Sequence, residues 1–107
     1  MLKLPKAVEK LPGLYETEKV PNKDKMVYFM YAPKKAGHRW AWIPVEYDAE
    51  DDTYFGYVIG IEDEWGYFSH AEIAEVHEKV VPIGIVQFEK PLPFDVVKNA
   101  FSQLFSK

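Results

Sequence analysis

Apolar and polar positions along this chain follow two different periods, and the switches between them mark out its elements. Leu4, Ala7, Val8 and Leu11 recur at helical spacing behind Pro5, and Pro12-Gly13 closes the segment. This predicts a short N-terminal helix whose apolar stripe docks on a sheet. After the polar connection TEKVPNKDK (17–25), KMVYFMYA (25–32) is rich in side chains that suit a pleated surface, and it is expected to be a strand.

Strict alternation sets in next. RWAWIPVEYD (39–48) is the second expected strand, with Ala41, Ile43, Val45 and Tyr47 on one face and Trp40, Trp42, Pro44 and Glu46 on the other. Pro44 has no N–H to donate to a ladder, so it implies a sheet edge or a bulge. AEDD leads into TYFGYVIGIE (53–62), where Phe55, Tyr57, Ile59 and Ile61 share one face and Tyr54, Gly56, Val58 and Gly60 the other. Short connections between these strands point to an antiparallel meander.

EDEWG is expected to turn, with Gly66 at positive φ, and Tyr67 and Phe68 to pair briefly. Ser69 and Glu72 match a capping box. Ile73, Val76 and Val80 supply an apolar stripe behind it, and Glu75 with Lys79 an i,i+4 pair. VVPIGIVQFEK (80–90) is another expected strand. In PLPFDVVKNAFSQLFSK, Val97, Ala100, Phe101, Leu104 and Phe105 follow the helical pattern. The expectation is one α+β domain over residues 1–107, an antiparallel sheet of about four strands with three helices packed against it.

Composition narrows the function classes. With 48% hydrophobic and 16% aromatic residues the chain has material for a core, so disorder is not expected. No apolar run approaches the ~20 residues a membrane helix needs, and the N-terminus lacks a signal-peptide pattern. Zero cysteines exclude a disulfide framework, a thiol nucleophile and a thiolate zinc site. A cytoplasmic location fits these facts. The net charge of −4, with acidic residues concentrated in EYDAEDD (46–52) and EDE (62–64), disfavours nucleic acid as the partner.

Candidate chemistry is sparse. His70 and His77 lie seven apart, about two helical turns, too far for simple chelation, so no metal site is expected. Ser69 is explained by its cap, and no glycine loop sits between a strand and a helix to cradle phosphate. No catalytic residue and no cofactor are assigned. The aromatic residues are the strongest signal. Trp40 and Trp42 project from the same strand face as Tyr54, a candidate stacking platform, or a surface on which Trp rings fill the gaps left by Gly56 and Gly60. Trp65, flanked by Glu62, Asp63, Glu64 and Gly66, is the candidate for a partly exposed contact.

Four segments carry a resemblance: LPGLYETE (11–18), WAWIPVEYD (40–48), YFGYVIGIEDEWGYFSHAEI (54–73) and PIGIVQFEKPLP (82–93). Together they resemble the DUF2958 group of short prokaryotic proteins, over about 80 residues, and depart from it at PIGIVQFEK. The resemblance implies a compact α+β fold and a phage, plasmid or other mobile-element setting, and it implies no catalytic residues. The leading expectation is a small soluble non-enzymatic accessory protein that binds a protein partner through the Trp65 turn and the acidic loops. The alternatives are a single-strand nucleic-acid binder using Trp40, Trp42 and Tyr54, and a small hydrolase.

Overall fold

The computed structural model describes residues 1–35 and 37–104. Its centre is a five-stranded antiparallel sheet: β1 (Met26–Pro33), β2 (Ala41–Asp48), β3 (Thr53–Ile59), β4 (Glu64–Phe68) and β5 (Ile83–Pro93), in the order β4-β3-β2-β1-β5. Strands β1 to β4 form the meander that the short connections imply. The helix α1 (His70–Lys79) then carries the chain from one sheet edge to the other, where β5 pairs antiparallel with β1. A last helix, α2 (Phe94–Gln103), follows directly. The class is therefore α+β, with five strands and two α-helices among the described residues. Phe105 lies outside them.

The expected N-terminal helix is a short 3₁₀ segment, Lys6–Lys10, and a second 3₁₀ turn covers Asn22–Asp24. The first is bounded by Pro5 and by Leu11, whose extended backbone is what a following proline demands. Five residues are also too few to repay the nucleation cost of an α-helix. The segment still docks as predicted, with Ala7, Val8 and Leu11 against the sheet, while Leu4 stays largely exposed.

Both sheet faces are covered. On one, Val27, Met30, Ala41, Ile43, Val45, Tyr57 and Ile59 meet Phe94, Val97 and Phe101 of α2. On the other, Phe29, Tyr31, Trp42, Tyr47, Tyr54 and Phe68 meet Ile73 of α1 and the N-terminal 3₁₀ segment. The helix stripes are shorter than their periodicity suggests. Val80 and Leu104 are exposed, because each falls past the end of the sheet contact.

Tyr47 departs from the alternation. It lies with Trp42 and Tyr54 instead of with Ala41, Ile43 and Val45. The register explains this: Pro44 faces Gly56, but Glu46 already faces Phe55, so Val45 is an extra residue in β2. A bulge shifts the parity by one and exchanges the faces of everything beyond it. Pro44 is thus in a central strand, at a bulge. Gly56 makes the bulge possible: a Cβ there would sit 2.2 Å from the Ile43 carbonyl oxygen and 2.7 Å from Pro44 Cα.

Two further expectations change. Strand β3 ends at Ile59, so Ile61 leaves the row of Phe55, Tyr57 and Ile59 and is fully exposed. Gly66 does not turn the chain; it is a strand residue of β4 opposite Gly56, and its φ is not positive. The reversal comes earlier, at Gly60–Asp63, where the Asp63 carboxylate accepts the Gly60 N–H at 3.2 Å.

The start of α1 is held from two directions. Ser69 Oγ accepts the Glu72 N–H at 3.0 Å, as the capping box predicts. Asp52, in the β2–β3 turn at φ 49°, accepts the N–H groups of His70 (3.3 Å) and Ala71 (3.1 Å) and the Tyr47 hydroxyl (3.0 Å). Burial first, then the bond to Asp52, raises the Tyr47 pKa to about 12.

Gly56→Ala is expected to destabilise the fold by about 1–3 kcal/mol or more, because the β2 backbone at Ile43 and Pro44 would have to move. Gly60→Ala, whose Cβ would first meet a Trp40 ring atom at 3.8 Å, should cost well under half of that. Urea unfolding midpoints of the two variants, measured side by side, test the difference.

Candidate functional site

The sequence candidates separate by position. Tyr54 is fully buried, its hydroxyl 2.7 Å from that of Tyr31, and Trp42 is buried beside it. Trp40 lies half-buried against Trp42, ring centroids 4.8 Å apart, and over the bare Cα of Gly60, the aromatic filling of a glycine gap. The three rings share a face, as the alternation indicates, but α1 and the 3₁₀ segment close over it, and only Trp40 reaches the surface. Trp65 lies on the opposite face, its ring 4.6 Å from Phe94, 5.3 Å from Tyr57 and 5.6 Å from Phe55. It plugs the sheet edge beneath the start of α2.

His70 and His77 are occupied by the fold. His70 Nδ1 is 2.8 Å from the Tyr31 hydroxyl and its Nε2 is 2.9 Å from the Leu2 carbonyl, which its N–H reaches, tying the N-terminus to the buried tyrosine pair. Burial is also the main reason that Tyr31 and Tyr54 have raised pKa values. His77 Nδ1 accepts the Ile83 N–H at 2.8 Å and so closes the turn into β5.

Two places on the surface combine chemistry with a fixed shape. The first is the β3–β4 turn. Arg39 reaches Asp63 with both terminal guanidinium nitrogens, one at 2.9 Å to Oδ1 and the other to Oδ2, and also donates to the Gly60 carbonyl at 3.3 Å. This two-point pairing clamps the turn geometrically. The guanidinium holds the Asp63 carboxyl below the usual carboxylate range, and Asp63 raises Arg39 in return. Glu62 and Glu64 flank the clamp, both exposed. Beside it, a hollow of about 570 Å³ is lined by Arg39, Trp40, Val58, Gly60, Ile61 and Glu62, among others.

The second place was not among the sequence candidates. A cleft of about 400 Å³ lies under the loop of residues 14–20, lined by Tyr15, Glu18, Asn22, Lys25, Glu46, Phe55 and Tyr67. Its floor holds two charges that are almost wholly buried, Lys25 at 4% and Glu46 at 3% exposure. They do not pair directly. Thr17 stands between them, its hydroxyl donating to Glu46 Oε2 and accepting from Lys25 Nζ at 2.9 Å. Glu46 also accepts the backbone N–H groups of Tyr15 (2.9 Å) and Thr17 (3.2 Å), and Lys25 donates to the Thr17 carbonyl. Such groups are tolerable in a core only when satisfied in this way. The signal that could have found them was the bulge at Pro44, which turns Glu46 toward the Phe55 side of the sheet.

No family model, no curated protein and no solved structure matches this chain.

Replacing Glu46 by Gln or Thr17 by Val should each lower stability by about 1–3 kcal/mol, since either change leaves a buried polar group unpaired. Urea titration measures the loss, and proteolytic nicking within residues 14–20 should rise with it. The depressed Asp63 pKa fixes a second sign: the clamp contributes above the ordinary aspartate range and is lost as pH falls through the lowered value. An NMR titration of the Asp63 carboxyl should move back to the ordinary range in Arg39→Gln.

Proposed function

We propose that this is a small non-enzymatic accessory protein that acts by docking on a protein partner through the β3–β4 turn. The observation that carries it is Ile61, a fully exposed aliphatic side chain at the tip of a turn locked by Arg39 and Asp63. A pre-organised turn loses little freedom on binding, and an apolar anchor beside the exposed edge of Trp40 suits the centre of a protein interface. Glu62 and Glu64 form the rim, while Arg39 already neutralises Asp63. With a net charge of −4 over the chain, the fitting occupant is a basic segment of a partner that offers one apolar side chain to the hollow by Trp40.

The likeness to the DUF2958 group, and a mobile-element setting with it, belong to the same proposal. In its favour, segments quoted for that likeness come together in space: Tyr15 and Thr17, Glu46, Phe55 and Tyr67 all gather at the cleft under the 14–20 loop. The single-strand alternative has less support, because Trp42 and Tyr54, two of its three rings, are buried.

The test is affinity capture from the native host with the wild-type chain and two variants. Ile61→Asp should abolish retention of the partner. Glu62→Gln combined with Glu64→Gln should weaken it about threefold to tenfold and flatten its salt dependence. Retention unchanged in both would remove the turn from the interface.

A further inference from the structure

The cleft under residues 14–20 lies at the opposite end of the β3–β4 hairpin from the Gly60–Asp63 turn, where Phe55 pairs with Tyr67. Its two buried charges are turned inward on Thr17 and offset one another. What faces outward is aromatic and acidic. Tyr15 and Tyr67 stand 61% and 56% exposed at the mouth, and Phe55 lies 5.3 Å from the Tyr67 ring. Glu18 lines the same mouth, and its carboxylate makes no hydrogen bond or ion pair among the described residues.

The loop holds Tyr15 there at a cost. Its φ of 70° is a left-handed backbone that bulky residues rarely adopt, and the buried Glu46 carboxylate accepts its N–H to keep it. A relaxed loop would need neither the strain nor the buried acid.

We propose that this cleft binds an alkylammonium or guanidinium group, as a lysine or arginine side chain presents, between the rings of Tyr15, Tyr67 and Phe55 with Glu18 as counter-ion. Ring faces carry negative potential and attract cations within about 6 Å, and a carboxylate at the rim adds to that attraction. The lining carries two carboxylates against one ammonium, so an anion is disfavoured. The site stands apart from docking at Ile61, and each is tested without the other.

The experiment titrates the full chain with N-acetyl-lysine methylamide, N-acetyl-arginine methylamide and n-butylammonium, with N-acetyl-norleucine methylamide as the uncharged control. Ring resonances of Tyr15 and Tyr67 are followed by NMR. Saturable shifts with the cations and none with norleucine are expected. Equal affinity for butylammonium and blocked lysine would assign recognition to a free amine head, and tighter binding of the blocked residues to a side chain within a polypeptide. Glu18→Gln should weaken binding about fivefold, and Tyr15→Ala should weaken it further. Both positions are exposed, and amide spectra establish that the variants fold. Ile61→Asp should leave the titration unchanged. Absence of saturable shifts, equal response to norleucine, or full affinity in Glu18→Gln would overturn the proposal.

Discussion

One extra residue in the middle strand organises this molecule. At Val45, β2 takes a step that β3 does not match, beside a proline that cannot donate to the ladder and opposite a glycine that leaves room for the approach. Because side chains alternate with a period of two, the bulge decides the direction of everything after it. Tyr47 goes to the α1 face and Glu46 to the α2 face. Each then does what its new neighbours require.

Tyr47 reaches Asp52, and Asp52 supplies the N-terminus of α1 with a second acceptor besides Ser69. The helix crossing that brings β5 to the far edge therefore starts from a residue whose position depends on the bulge. Glu46, on the other face, gathers the backbone of Tyr15 and Thr17 and, through the Thr17 hydroxyl, Lys25. Lys25 in turn accepts the Phe94 N–H on its carbonyl at 2.8 Å, so the same network positions the start of α2. Nearby, the Pro12 carbonyl accepts the Tyr47 N–H at 2.9 Å. Loop, sheet and last helix are joined at one buried carboxylate.

The two surface features with chemical potential differ in their supports. The β3–β4 turn is rigid through a partly exposed ion pair, which sets shape more than stability. The cleft is rigid through buried charges whose loss would loosen the loop itself. The acidic and aromatic residues of EDEW accordingly have separate duties. Asp63 clamps, Trp65 plugs the sheet edge, and Glu62 and Glu64 remain for solvent or a partner.

The strand character of β1, the period-two rows of β2 as far as Val45 and of β3 as far as Ile59, and the helical stripes of α1 and α2 were legible in the residues alone, as were the Ser69 cap, the Glu75–Lys79 pair (3.5 Å) and the irregularity at Pro44. These are local matters, decided by side-chain shape and by hydrogen bonds a few residues apart. Local information also misplaced things. The glycine at position 66 looked like a turn because glycine tolerates positive φ, yet only the pairing of β4 with β3 shows it opposite Gly56 in a strand. Tyr47 followed the alternation on paper, while the bulge that reverses it is a relation between two strands. Glu46 lies 29 residues from Thr17, and although Pro44 marks a bulge beside it, nothing local says that Glu46 shares one buried network with Thr17 and Lys25. The residues by themselves determined the α+β class and most of its elements. Only tertiary structure decided which faces were closed, which aromatic rings reached the surface, and where charge was buried, because each depends on what packs opposite.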